Sequence, residues 1–397
     1  MTASTTVRID EKDLKILLQL EQDPSLSKSK IARRIGVAPE TVRLRLQRLK
    51  DRGVLRPNRI ITDPLLGERL QTEMEAVYVP SSLGLLRHHV LFLGVHTREQ
   101  LNQLKRLCDI HPHTHYRVVA FGDGATLYAQ FDIPPQAEPL IRELYERLVG
   151  RDLCEDYQVV ESRYVSGKGA DLQRWNTDSN KWEIEYGKKS STGTRLSRVE
   201  AIWSDFLDQC PEEDPAEDRP RTPETLDQLD LLLLRELTIN SRPSFTQLGE
   251  VYKRDATTIS RRVDRIRKMF APHDVLYLDR TIFDLTYPQL ITGTFHNNNE
   301  LNAKTFYWFV RSGAIPFEMK GVTNGTDFLL YSMTPPSFAS ELSEFFWEHC
   351  SHVRVHQLQL DSSYTYFFYH ENYSPGQGWR HDRPYVVDEP LRQLEST

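Results

Sequence analysis

The chain repeats itself, and the repeat fixes its architecture before any motif is read. Residues 9–49 align without a gap on 226–266 at a shift of 217. Ile9-Asp10 falls on Leu226-Asp227, Asp13 on Asp230, Ile16 on Leu233 and Leu20 on Leu237. Ile31 falls on Leu248, Thr41-Val42 on Thr258-Ile259, Arg45 on Arg262 and Leu49 on Ile266. A second block, Phe121 to Pro135, falls on Val322 to Pro336 at a shift of 201. Matched positions are mostly apolar or turn residues. A duplicated fold with diverged surfaces leaves this pattern.

A chain of 397 residues is long enough for two to four domains with cores of their own. No stretch approaches the roughly 18 consecutive apolar residues of a membrane span. The N-terminus, Met1 to Thr6, carries neither the basic nor the apolar region of a secretion signal. Cys108, Cys154, Cys210 and Cys350 are scattered with no Cys-x-x-Cys pair, which excludes a zinc ribbon and a disulfide framework. A cytoplasmic protein is expected.

The net charge of −6 argues against a nucleic-acid partner, but the mean hides segregation. Residues 28–59 carry eleven cations against Glu40 and Asp51, a net +9. Residues 253–268 carry a net +5, and residues 205–230 a net −8. Two basic blocks of this density imply local anionic partners.

Periodicity places an amphipathic helix over 8–22, a short helix from Ser27 to Ile35 ended by Gly36, and a third helix begun by Pro39. A hairpin is expected over Val54 to Ile61. Three helices and a hairpin make a winged helix-turn-helix. From about residue 88 the period changes to strand, helix, strand, strand, helix, strand, the ferredoxin-like βαββαβ order. The second copy repeats it, with Asn324-Gly325 in place of Asp123-Gly124. Both dipeptides predict a type I′ hairpin turn. The fold class is therefore α+β, a tandem duplication of winged helix-turn-helix plus ferredoxin-like domain. The expected divisions are 1–64, 86–163, a connecting segment 164–222 with an acidic linker, 223–284, 287–370 and a tail 371–397. Residues 164–222 are expected to belong to neither copy, Pro211 to Pro223 to be solvated, and the tail after Tyr373 to be irregular while packing through Trp379 and Tyr385.

Arg, Thr, Ser and Gln on an outward helix face are types that hold phosphates or read base edges. Helix 39–52 presents Glu40, Thr41, Arg43, Gln47 and Arg48 there. Lys28, Ser29 and Lys30 open the preceding helix, where N-terminal amides favour phosphate. Arg56 and Arg59 sit in the wing. In the second copy the corresponding set is Thr257, Thr258, Ser260, Arg261 and Arg265. That copy lacks the turn glycine, having Tyr252-Lys253-Arg254-Asp255, and its wing is longer and less basic.

The runs Ile9-Asp10-x-x-Asp13-Leu14-x-Ile16-Leu17, Ile31-Ala32-x-x-Ile35-Gly36-Val37 and Thr41-Val42-x-x-Arg45-Leu46-x-x-Leu49-x-x-x-Gly53-Val54 resemble the DNA-binding module of the Lrp/AsnC (feast/famine) transcription regulators. The βαββαβ half resembles their ligand-sensing, dimerising domain. Archaeal members with two fused copies are what the chain most resembles. The resemblance implies double-stranded DNA as partner, a homodimer, and a small-molecule effector held by a glycine-rich loop, here Gly122-Asp123-Gly124. It leaves open whether the ferredoxin-like domains pair within one chain or between chains.

Six histidines cluster in 88–115, and His111, His113 and His115 alternate as though on one side of a strand. Imidazole is a common metal ligand, but no cysteine or carboxylate completes a site nearby in sequence. Siroheme decarboxylases also resemble fused Lrp-like domains, and His113, His115, Tyr116 and Arg117 resemble the residue types they place in the ferredoxin-like half. The +9 block favours a regulator. The chain is therefore expected not to be an enzyme and to need neither metal nor cofactor.

Overall fold

A computed structural model of the chain describes residues 8–23, 26–55, 61–62, 69–70, 74–184, 197–221, 226–296 and 300–395. The first copy runs α1 (Glu11–Gln22), α2 (Lys28–Ile35), α3 (Pro39–Asp51), β1 (Ile61–Thr62), β2 (Arg69–Leu70) and β3 (Met74–Val77). It continues through β4 (Leu86–Val95), α4 (Arg98–Ile110), β5 (Thr114–Gly122), β6 (Gly124–Ile133), α5 (Glu138–Gly150) and β7 (Asp156–Glu161). Then come β8 (Tyr164–Lys168), β9 (Trp175–Asn176), β10 (Lys181–Trp182) and α6 (Arg198–Leu207). The second copy runs α7 (Gln228–Ile239), α8 (Phe245–Tyr252), α9 (Ala256–Met269), β11 (His273–Leu276), β12 (Tyr287–Phe295), α10 (Ala303–Ser312) and β13 (Glu318–Thr323). It ends with β14 (Asp327–Thr334), α11 (Pro336–His349), β15 (Cys350–Thr365), β16 (Tyr373–Ser374), β17 (Gly378–Trp379) and α12 (Glu389–Glu395).

These elements sort by type rather than by copy. One compact unit gathers Met1–Val79, Leu172–Glu183 and Glu224–Asp284, and so holds both three-helix segments. The other gathers Pro80–Asp171, Ile184–Pro223 and Leu285–Thr397, and so holds both βαββαβ segments. No helix among the described residues is long and apolar enough to cross a membrane.

In the helical unit, α1 and α7 open with the same capping box, Asp10 with Asp13 and Asp227 with Asp230. Each aspartate pair satisfies amides that a helix start leaves free. Behind them Ile16, Leu17, Ile31, Val42 and Leu49 are buried in one copy, and Leu233, Leu234, Leu248, Ile259 and Ile266 in the other. Gly36 ends α2 at φ +71°, whereas Lys253 ends α8 at φ +53°. A side chain in that left-handed region costs about 1 kcal/mol. β3 of the first copy pairs with β11 of the second, Met74 opposite Leu276 and Val77 opposite His273. Of the wing hairpin expected over 54–61, residues 56–60 lie outside the described residues. The observed pairing is later, Ile61 with Leu70 and Thr62 with Arg69.

In the other unit, among the described residues, nine strands form one antiparallel sheet in the order β7-β4-β6-β5-β15-β12-β14-β13-β8. The fourth strand of each copy continues onto the second strand of the other. β15 pairs with β12 through Gln357 and with β5 from Gln357 to Thr365. β8 follows β7 after Ser162 and Arg163 alone and pairs with β13, Tyr164 opposite Thr323. Strand alternation then divides the side chains. Val90, Phe92, Leu127, Ala129 and Phe131 pack with Leu104, Ile141 and Leu144 of the helices. Leu91, Val118, Ala120 and Tyr128 pack instead on Leu290, Val322, Leu329 and Leu358 of the second copy. Each such leucine or valine contributes about 1.5–3 kcal/mol when fully buried. The ferredoxin-like halves therefore pair within one chain, one of the two arrangements the sequence left open.

Three sequence expectations are corrected here. Residues 164–222 do not stand apart from the repeat, because a strand, a hairpin and a helix follow each copy: β8 to α6 after the first, the end of β15 to α12 after the second. The acidic stretch is not a free linker in its described part. Trp308 Nε1 donates to Glu213 O at 3.0 Å, Arg163 Nη2 lies 2.7 Å from Glu217 Oε1, and Asp218 N donates to Arg163 O at 2.7 Å. The tail is regular, and Val386, Val387, Leu391 and Leu394 enter the first copy's core. The turns also differ from type I′. Gly124 (φ +97°) and Gly325 (φ +105°) have positive φ, but Asp123 and Asn324 do not. Asn324 Oδ1 instead accepts from the amides of Thr326 (2.9 Å) and Asp327 (2.8 Å).

Candidate nucleic-acid interface and the sheet interior

The third helix of each three-helix body is clamped to its first by a buried carboxylate. Asp13 is 1% exposed and accepts from Arg45 Nη1 at 2.8 Å and from Arg48 Nη2. Asp10 accepts from the same Arg45 at 2.6 Å. The second copy repeats this with Asp230, which accepts from Arg262 Nη1 at 2.9 Å and from Arg265 Nη2. Partial burial pushes the Asp10 carboxyl up, but the Arg45 hydrogen bond, the Asp13 amide and the charges of Arg45 and Arg48 outweigh it and hold it at about 2. Arg48 and Arg265, expected to face a ligand, are thus tied to their own bodies and orient α3 and α9.

The rest of the first copy's expected face is outward. Lys28, Ser29, Lys30 and Arg33 are exposed on α2, and Glu40, Arg43, Leu44 and Gln47 on α3; Thr41 is half-buried. Glu40 chelates Arg43 (Nη2–Oε1 2.6 Å), and Gln47 donates to Asp51 at 2.8 Å. Among the described residues no side chain forms an ion pair or hydrogen bond with Lys28, Lys30 or Arg33. Ser27 caps the N-terminus of α2, and the three free cations run from its first turn (Lys28, Lys30) to its last (Arg33). At the aligned positions α8 has Phe245, Gln247 and Glu250. On α9, Thr257 and Arg261 are exposed and Ser260 is half-buried, while Thr258 Oγ1 donates to the cap Asp255 at 2.7 Å. Arg56 and Arg59 lie outside the described residues.

A second constellation lies inside the paired sheets, on the side of Leu91 and Val118. Arg87 chelates Asp132 at 2.6 and 2.7 Å. His115 Nδ1 is 3.8 Å from Asp132 Oδ2. His89 lies between Tyr128 Oη (2.6 Å) and Ser162 Oγ (3.0 Å), and Gln130 Nε2 donates to Tyr128 Oη at 2.7 Å. Burial pushes His89 and His115 down to about 3, so both are neutral at ordinary pH. The cluster offers one fixed ion pair and neutral hydrogen-bonding groups in an enclosed place.

The histidines expected on one strand side are separated. His111 caps α4 and bonds Val386 O at 3.0 Å, His113 lies in the turn and bonds Asp132 O at 3.1 Å, and only His115 enters β5. Arg117 leaves the set formed with His113, His115 and Tyr116. It faces the helices, 2.8 Å from Asp109 and 2.9 Å from Tyr366 Oη. Sequence reasoning missed Arg87 and Asp132 and counted His89 only among the clustered histidines, although Arg87-x-His89 alternates within a strand pattern. The expected effector loop, Gly122-Asp123-Gly124, is exposed. A Cβ on Gly122 would meet Val355 O at 2.6 Å and His356 Nδ1 at 2.9 Å, so glycine lets β5 approach β15 there.

Residues 9–56 match the family model for winged helix-turn-helix DNA-binding proteins. No curated protein sequence matches the chain. Among solved structures, the chain is similar to the siroheme decarboxylase NirDL at 12% identity, over 97% of this chain and 99% of that one, with a TM-score of 0.43. It is similar to AsnC of E. coli at 16% identity, over 39% of this chain and 92% of that one, with a TM-score of 0.28. An AsnC family transcriptional regulator from Agrobacterium tumefaciens is 18% identical over 39% of this chain and 90% of its own, with a TM-score of 0.27. The expectation that the chain is not an enzyme is corrected to this extent: solved structures that cover 97% of the chain include those of a siroheme decarboxylase, so the comparisons do not support excluding an enzyme. At this identity the likeness is one of fold and shows no reaction for this chain.

Proposed function

We propose that the chain is a DNA-binding transcription regulator of the Lrp/AsnC type, in which the first winged helix carries most of the DNA affinity. The observation that supports this reading is the asymmetry between copies. Lys28, Lys30 and Arg33 are exposed and free of ion pairs in the first, and Phe245, Gln247 and Glu250 stand in their places in the second. Phosphate contacts by the three cations and by the α2 amides position the body on the duplex. Arg43 and Gln47 then read base edges, Arg43 exchanging Glu40 for a base. Arg48 and Arg265 act by holding helices in place. Thr257, Ser260 and Arg261 form a weaker second face. Two chains bind as a homodimer, and an effector enters at Gly122-Asp123-Gly124. The test is selection of bound sequences from a random duplex library. The reading expects an enriched motif that is lost in Arg43→Ala with Gln47→Ala; no enrichment above random contradicts it.

A second reading rests on the Arg87, His89, His115 and Asp132 cluster. An enclosed arginine with neutral histidines suits a tetrapyrrole carboxylate and a proton transfer, the class of chemistry a siroheme decarboxylase performs. Titration with an iron tetrapyrrole tests it. A change in the absorption spectrum that His115→Ala removes supports it, and an unchanged spectrum rules it out.

A further inference from the structure

We propose that His88, Glu138 and Glu161 bind a first-row divalent cation of the zinc class. The three residues converge from different elements. His88 and Glu161 are cross-strand partners in β4 and β7, and Glu138 is the first residue of α5. One ligand atom from each lies within 4.8 Å of the others. His88 is fully buried, and neither of its ring nitrogens has a hydrogen-bond partner. An imidazole buried without partners is rare in folded proteins and points to a missing one. The carboxylate side chains are about a third exposed (35% and 33%), which leaves an open side for entry and for a water ligand.

The second copy supplies the comparison. At the aligned positions Gln289 replaces His88, Ala339 replaces Glu138 and Ser343 replaces Arg142. There the buried amide is satisfied, with Ser343 Oγ donating to Gln289 Oε1 at 3.3 Å and Gln289 Nε2 donating to Ala339 O at 3.5 Å. The same place in the repeated fold is therefore closed by neutral groups in one copy and lined by three metal-type donors in the other. One imidazole with two carboxylates and an open position is a donor set suited to Zn²⁺. Arg142 competes with the ion: its Nε lies 3.0 Å from Glu138 Oε1, and its Nη2 contacts Glu161. An ion must displace that guanidinium.

The full chain is stripped with a chelator and dialysed against Zn²⁺, and bound metal is counted per chain. The expected result is that His88→Gln and Glu161→Gln each remove one zinc equivalent. Arg142→Ser, the residue of the second copy, is expected to tighten binding at least tenfold. Thermal melts verify that each variant is folded. If His88→Gln unfolds, Glu161→Gln and Arg142→Ser still decide the matter. Absence of zinc binding by the wild type, equal binding by the His88 and Glu161 variants, or equal binding of Mg²⁺ overturns the proposal. Equal binding by those variants would place the ion elsewhere, such as at Glu200, Glu348 and His349.

Discussion

Trp379 donates its indole N–H to the carbonyl oxygen of Leu83 at 2.7 Å. Trp182 makes the corresponding bond to Phe283 at 2.6 Å. Each tryptophan lies on the second strand of the hairpin that trails one copy, and each acceptor ends the 3₁₀ turn that leads into the sheet of the other copy. The trailing segment of each half thus closes on the leading segment of the other. β15 on β5 and β8 on β13 repeat that exchange within the sheet. A twofold dimer with exchanged tails has this arrangement, and here it is built into one chain.

The exchange predicts a stability effect far in sequence from its cause. Trp379→Phe keeps a ring beside Phe368 and Tyr373 but leaves the Leu83 carbonyl unpaired. Loss of about 1–3 kcal/mol is expected from urea denaturation. An unchanged midpoint would mean that the bond does not help to hold the fold.

The clamps on α3 and α9 should be energetically equivalent. Asp13→Ala and Asp230→Ala each leave two guanidinium groups without their buried partner. Each should destabilise the helical unit by about 3–5 kcal/mol. Circular dichroism melts of the two variants measure it, and a loss in one copy alone would show that the repeat is not energetic.

Acid should weaken the sheet-bearing unit. Burial holds His88, His89, His111 and His115 down at about 3 and His113 at about 4. The unfolded chain takes up these protons near pH 6.5, while the folded chain does not. The neutral-histidine contribution is therefore complete above pH 6.5 and is lost as pH falls toward 3. Melting temperature should drop steadily between pH 7 and 5, and His89→Gln should flatten the slope. Asp10, held at about 2, contributes above about pH 3.8 and loses its share below that. A pH-independent melting temperature over 7–5 contradicts the histidine account.

Lys253 sits where the first copy has Gly36, at φ +53°. Lys253→Gly should stabilise the chain by up to about 1 kcal/mol, because relief of the left-handed strain is offset by the entropy of glycine in the unfolded state. Differential scanning calorimetry reads this, and a marked destabilisation would show that the lysine side chain contributes something the backbone argument omits.

The fold was legible because duplication exposes the core: Ile16 on Leu233 or Leu49 on Ile266 survives only if both positions are buried. Helix starts were legible from Asp10, Ser27 and their counterparts. The sheet order was not, because pairing of β15 with β5 is non-local and both strands carry the same alternation as any half-buried strand. The hairpin between Trp175 and Trp182 was legible from the turn residues Asn176 to Asn180, but its equivalence to the hairpin ending at Trp379 was missed because Trp182 and Trp379 fall at a shift of 197 rather than 201 or 217. Site residues were legible by type but not by direction. Arg48 and Arg43 are the same residue type on one basic helix, yet one faces Asp13 and the other solvent. Asp132 gave no local signal, since it joins Arg87 only when β4 pairs with β6.

The central claim, that the first winged helix carries the DNA affinity, is tested most directly by the salt dependence of duplex binding in fluorescence anisotropy. Lys28→Ala with Lys30→Ala and Arg33→Ala should weaken binding and reduce the log–log salt slope by about 2.7, roughly 0.9 per lost phosphate contact. Arg261→Ala with Lys268→Ala in the second copy should change both far less. Equal losses from the two variants, or a wild-type chain that binds no duplex at low salt, would contradict the account.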